Sequence, residues 1–335
     1  MKIMSFKKHK KTSQLLLGIL EKRSRKGLEL AKKIVLTEKI ESQKVYDALE
    51  YYTSNWKIFT HPGLFSIACE AVGGNPENAI NVQASLAMIT AALDIHDDIL
   101  DKSKIKRGRL TVYGKFGHDI ALLLGNAFIV SGFTLLGKSI AKLPVDKTKE
   151  VFDTVQKSLF KIGNAHALES ALKGNMYIAP EQYMQILEMK AFSAEASMRL
   201  GAIIGGATDY EVEFLAKYGR ILGLLATLRE EFIDIFEIQE LRQRISNECL
   251  PMPILYALQN ENSKEILQKL LLKKKITDAD VDQLLNVVME TNEVKKLKRK
   301  MKSLVKAAIA LASNIKYPKL KNLLDQLAVA ALEDL

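Results

Sequence analysis

The 335-residue chain is predicted to be all-α, a single large helical domain, on two observations. Apolar residues recur at helical spacing along most of its length, with no convincing alternating segment. Proline and glycine fall between the periodic segments as helix punctuation and never gather into a linker. "GGNPENA" (73–79) reads as a C-cap, a turn and a helix start with Pro76 near its first position. Pro144 in "KLPVDKTKE", Pro180 in "YIAPEQYMQ", and Pro251 with Pro253 in "NECLPMP" mark further stops and starts. "KKLKRKMK" (295–302) reads as an exposed helix face, and no internal repeat stands out.

Composition is that of an ordinary globular protein, 48% hydrophobic and 26% charged, long enough to bury a sizeable core. Cys69 and Cys249 form neither a disulfide framework nor a metal-ligand spacing, which points to a reducing, cytoplasmic setting. The net charge of +10 is uneven: residues 1–33 hold eleven Lys and Arg against two Glu. The remainder is close to neutral, which argues against a nucleic-acid-binding body. The basic segment is read as an N-terminal extension over 1–33, a solvated tail, with weak peripheral attraction to anionic lipid headgroups as the sharper alternative. The helical domain then covers 34–335. No secretory signal is evident. "IALLLGNAFIVSGFTLLG" (120–137) is uncharged and nearly long enough to span a bilayer, but Gly125, Asn126, Ser131, Gly132 and Thr134 interrupt it. It is read as a buried core helix.

The chemistry concentrates in two acidic stretches. In "LDIHDDILDKSKIKRGR" (93–109), Asp94, Asp97, Asp98 and Asp101 are related by steps of three and four, so a helix puts all four on one face. They close the uncharged run "QASLAMITAA". Unpaired carboxylates are costly to bury, so the cluster should face a cavity and bind something cationic. Mg²⁺ prefers oxygen ligands and is commonly completed by phosphate oxygens. "LREEFIDIFE" (228–237) supplies Glu230, Glu231 and Asp234 on one face, again after an apolar helix. Either cluster alone would read as a solvated helix face; two of matching spacing point to a metal site.

"DDILD" followed by "KRG" resembles the first aspartate-rich motif of the trans-isoprenyl diphosphate synthase (polyprenyl synthetase) family. The likeness runs from about residue 40 to the C-terminus, through "MKAFSAEASMRLGAIIGGA", "YGRILG", "CLPMPILYAL" and "YPKLKNLLDQLA" in the family's order. The resemblance implies a helical bundle around a central cavity, and a homodimer. It further implies three Mg²⁺ ions bridging the two acidic motifs to an allylic prenyl diphosphate. By that likeness Asp97, Asp98 and Asp101 are metal ligands and catalytic, with Glu230, Glu231 and Asp234 as the second set. Lys106, Arg107 and Lys190 would hold diphosphate, Lys190 counting also as catalytic. Met88, Ala91, Ala92, Phe128, Phe192 and Thr227, with Phe232, would line the substrate pocket. The small Ala91 and Ala92 favour a farnesyl- or geranylgeranyl-class tail.

The pattern breaks elsewhere. The family's basic stretch for isopentenyl diphosphate corresponds to "WKIFTHP" (56–62), with Ile58, Phe59 and His61 where Lys, Arg and Arg would stand. Thr227 replaces the glutamine before the second motif, and Asn126 the aspartate of a Gly-Asp pair. Ala165-His166 replaces Gly-Gln, and His166 is given no role. The loop after the second motif is shorter, with Arg242 or Arg244 in place of its lysine. These departures rank a terpene synthase, ionising one allylic diphosphate, first. The alternative is a chain-elongating prenyltransferase whose pocket is rebuilt from Lys57, Arg107 and Arg109, and a non-catalytic regulatory subunit is the second alternative.

Overall fold

Helices form wherever the apolar period is sustained. A computed structural model describes residues 10–333 except Ile58, Arg107, Lys274 and Lys275, with side chains from Gln14 onward. The chain opens with α1 (Lys10–Leu36), α2 (Gln43–Asn55) and α3 (Thr60–Ala71). A 3₁₀ turn over Pro76–Ala79, where the Asn75 side chain accepts from the Glu77 amide, leads into α4 (Ile80–Leu100). Two short strands follow, β1 (Ile105–Lys106) and β2 (Arg109–Leu110), an antiparallel pair in a chain read as having none. Then come α5 (Val112–Phe116), α6 (His118–Ile140) and α7 (Val145–Leu172). Pro180 opens α8 (Pro180–Lys190), and α9 (Phe192–Ile204) continues almost directly. A Thr208/Glu211 capping box starts α10 (Asp209–Asp234). The C-terminal part holds α11 (Ile238–Asn247), α12 (Met252–Ala257), α13 (Glu261–Leu271), α14 (Asp278–Glu290), α15 (Asn292–Ala312) and α16 (Pro318–Ala330).

The basic segment expected as a solvated extension over 1–33 belongs, from Lys10 onward, to the packed domain. Helix α1 buries Leu16, Leu20, Leu28, Ala31 and Val35, while Lys22, Arg25, Lys26 and Lys33 point to solvent. The leucines recur at helical spacing between the charges, so the segment is an amphipathic helix and not a tail. Residues 1–9 lie outside the described residues.

Helix α6 is long and apolar enough to cross a membrane by length and composition. It is not the fully buried helix the sequence suggested. Its Ala121, Leu124, Gly125, Phe128, Gly132 and Leu136 face the core, whereas Leu122, Leu123 and Val130 are exposed. The small residues serve packing: a Cβ at Gly132 would fall 2.8 Å from Ile89 Cγ1, and one at Gly125 2.3 Å from His96 Nε2. They draw α6 tightly onto α4, the helix that carries the first acidic cluster.

Two core clusters result. The larger joins α3 and α8–α10 to the C-terminal helices; the smaller gathers Leu28, Val35, Trp56, Met88, Ala91, Ala92 and Phe128 between α1, α2, α4 and α6. Each fully buried Leu or Phe stabilises by roughly 1.5–3 kcal/mol before entropy is counted.

Candidate active site

Helix α4 runs out at Leu100 with Asp101 as its C-cap, and the chain reverses through Lys102 at φ +55°. The β1–β2 hairpin folds Lys106 back over the helix, 2.8 Å from Asp94 Oδ1 and 3.3 Å from Asp98 Oδ1. Asp98 is buried and its pKa is pushed up to about 7, chiefly by burial and partly opposed by Lys106. Burial alone would lower the Lys106 pKa, but Asp94, Asp98 and Asp97 outweigh it and raise it. Asp97 and Asp101 are more open, their side chains 31% and 22% exposed. Burial and then Asp101 raise the Asp97 pKa, opposed by Lys190, Lys106 and His166.

Three residues without an assigned role close around this face from α7 and its end. His166 Nδ1 lies 3.2 Å from Asp97 Oδ1, and Lys173 Nζ 3.0 Å from Asp101 Oδ1. Glu169, between them, pairs with Lys190 Nζ at 2.5 Å. Steps of three and four put all three on one face, a spacing legible in the sequence once the partner helix is known.

The second cluster is arranged differently. Glu231 and Asp234 are bound by Arg244 of α11, whose Nη2 lies 2.9 Å from Glu231 Oε1 and whose Nη1 lies 2.7 Å from Asp234 Oδ2. Arg244 also donates from Nε to the Cys249 carbonyl at 2.9 Å and from Nη2 to the Tyr183 hydroxyl at 2.9 Å. Glu231 Oε2 accepts the Met252 amide at 2.7 Å. The Tyr183 hydroxyl stands 3.0 Å from Glu169 Oε1 and 3.2 Å from Glu231 Oε1, donating to one at a time. One polar belt thus runs from Asp97 past Lys190 and Glu169 to Glu231, and Gln243 Nε2 reaches the Asp101 carbonyl at 3.4 Å. Glu230 is exposed. Arg242, the other candidate for the missing lysine, points away, to Asp278 and the Ile276 carbonyl.

The proposed lining divides. Met88, Ala91, Ala92 and Phe128 meet in the smaller core cluster, where Phe128 packs edge-on to Tyr52 and Trp56 at 5.3 and 5.2 Å. Phe128 also borders a cleft of about 720 Å³ between α1, α2 and α6, lined by none of the acidic-cluster residues. Phe192 lies elsewhere, its ring 3.6 Å beneath the Arg220 guanidinium at a polar groove. Thr227 donates to the Gly223 carbonyl of its own helix, and Phe232 is buried in the larger core. Helical position alone did not separate these faces.

At the altered basic stretch, Phe59 is half-buried and caps α3, and His61 Nδ1 sits 3.1 Å from Ser197 Oγ. Burial pushes the His61 pKa down to about 4, so its ring is neutral. Lys57 is exposed, and Arg109 of β2 bonds Asn55 at the end of α2. Arg107 and Ile58 lie outside the described residues.

The first cluster fits Mg²⁺ in donor chemistry, since Asp97 and Asp101 offer oxygens that remain partly open. Among the described residues no three such groups form a preformed cage, so phosphate oxygens and water would complete the shell. Glu231 fits poorly, because protein donors already engage both of its oxygens.

Residues 42–288 match the polyprenyl synthetase family. The chain belongs to that family. It is 31% identical over 180 residues to a short chain isoprenyl diphosphate synthase of Methanothermobacter thermautotrophicus, covering 53% of this chain and 54% of that one. It is 27% identical over 198 residues to a geranylgeranyl diphosphate synthase of Sulfolobus acidocaldarius, covering 56% and 59%. The chain thus spans little more than half the length of these curated relatives. The fold is shared with a geranylgeranyl pyrophosphate synthetase of Pyrococcus horikoshii (TM-score 0.84, 20% identity, 96% and 99% covered). It is shared also with a polyprenyl synthase of Caulobacter crescentus complexed with calcium and isoprenyl diphosphate (TM-score 0.77, 16% identity, 94% and 97% covered).

Proposed function

We propose that the protein is a chain-elongating prenyltransferase that condenses an allylic prenyl diphosphate with isopentenyl diphosphate. Relatives named geranylgeranyl and short chain isoprenyl diphosphate synthases favour this over the terpene synthase that the departures ranked first. The observation that carries it is the bond from Arg109 to Asn55, which sets a guanidinium two residues from Lys57 at the altered basic stretch. Arg109 and the exposed Lys57 are the cations this reading would use for the second diphosphate, which charge-assisted bonds would hold.

In this reading Asp97 and Asp101 would hold Mg²⁺, which when bound would supply positive charge for the departing diphosphate of the allylic substrate. Lys190, kept charged beside Glu169, and Lys106, kept charged beside Asp94, donate to diphosphate oxygens.

A lyase reading retains one specific support, the neutral His61 turned to Ser197 where a guanidinium would serve isopentenyl diphosphate. Incubation with geranyl, farnesyl or geranylgeranyl diphosphate and Mg²⁺, with and without isopentenyl diphosphate, separates the two. Diphosphate products longer by five carbons, formed only with isopentenyl diphosphate, support elongation; hydrocarbon or alcohol without it supports the lyase.

A further inference from the structure

The two acidic clusters look equivalent in the sequence and are unequal in the fold. In the first, the carboxylates are met by flexible side chains from different elements: Lys106 at Asp94 and Asp98, Lys173 at Asp101, and the His166 ring at Asp97. Incoming metal and diphosphate can displace such side chains. In the second, one rigid guanidinium serves Glu231, Asp234 and, at 3.4 Å, Glu248. Arg244 is only 7% exposed and Glu231 4%, and the guanidinium is further tied to the Cys249 carbonyl and the Tyr183 hydroxyl. Freeing Glu231 for a metal would take the most buried carboxylate from a buried guanidinium and break the bond to the Met252 amide.

We propose that Arg244 is the resident counter-charge of the second acidic cluster, standing in for a divalent ion there. Metal recruitment with diphosphate then falls to Asp97 and Asp101, while Glu231 and Asp234 hold Arg244 as a structural strut. Arg244 is a positioning residue in this arrangement, fixing α11 and the start of α12 against α10. The inference rests on the reading that the site handles diphosphate with a divalent metal. It does not require isopentenyl diphosphate to be the second substrate.

The test counts bound Mn²⁺ by electron paramagnetic resonance in the full chain with inorganic pyrophosphate, without any prenyl substrate. Failure of elongation would therefore leave the count unaffected. Glu231→Gln should keep the wild-type stoichiometry, with an affinity change below the roughly 10–100-fold typical of losing an outer-shell partner. Asp97→Asn should lose bound Mn²⁺. Arg244→Gln removes the guanidinium that Glu231, Asp234 and Glu248 share, so Mn²⁺ without pyrophosphate should raise its Tm while leaving that of the wild type unchanged. A Mn²⁺ count that drops in Glu231→Gln as it does in Asp97→Asn overturns the proposal. So does an Arg244→Gln variant whose Tm ignores Mn²⁺. Should Arg244→Gln fail to fold, the Glu231→Gln count decides alone.

Discussion

Arg244 Nη2 lies 2.9 Å from Glu231 Oε1, and both side chains are less than a tenth exposed. Removing one member strands the other charge in a low-dielectric site. Arg244→Met should therefore cost about 3–5 kcal/mol in urea unfolding. The double variant Arg244→Met with Glu231→Met should recover only part of that loss, because Asp234 and Glu248 remain without the guanidinium they shared. A double-mutant cycle measures the coupling.

Asp97→Ala should abolish turnover with any allylic diphosphate, by about 10²–10³-fold or more, the scale on which preorganised electrostatic groups act. Its Tm should move little, because the Asp97 side chain is 31% exposed and lies against the His166 ring. Steady-state kinetics and a melt on the same preparation check both halves.

Stability should respond to His61. Its folded pKa of about 4 lies below the ordinary value of 6.5, so between those values the unfolded chain binds the extra proton. The contribution is fully present above pH 6.5 and is lost as pH falls towards 4. His61→Gln should flatten that part of the Tm-against-pH curve.

The Asp98 carboxyl runs the other way. Its folded pKa of about 7, raised mainly by burial, means that it favours the folded apo protein at acid pH and loses that contribution as pH rises through 7. Mg²⁺ with pyrophosphate should offset the cost of the buried charge, so ligand-induced Tm gain should be larger at pH 8 than at pH 6.

Gly223→Val should lower both Tm and activity. A Cβ there would already lie 2.8 Å from the Ala191 carbonyl, so the branched side chain pries α10 from the α8–α9 junction that carries Lys190. Thermal melts and product assays report the two effects.

The helical class and both acidic clusters were legible because each depends on local period: Asp97, Asp98 and Asp101 sit three and four apart whatever surrounds them. Glu169 and Tyr183 were not legible. They bear on the site only through contacts between helices distant in sequence, Lys190 to Glu169 and Tyr183 to Glu231. The N-terminal helix was misread because the basic residues of 1–33 hid the leucine spacing at Leu16 and Leu20. Phe192 illustrates the remaining difficulty. The family likeness put it in the cavity, yet at the start of α9 its ring lies under the Arg220 guanidinium instead.

The most direct measurement of the elongation reading uses labelled isopentenyl diphosphate with unlabelled farnesyl or geranyl diphosphate and Mg²⁺. Label recovered in a longer prenyl diphosphate, and absent with Asp97→Ala, is the predicted result. Consumption of the allylic diphosphate to hydrocarbon or alcohol with no label incorporated would contradict it.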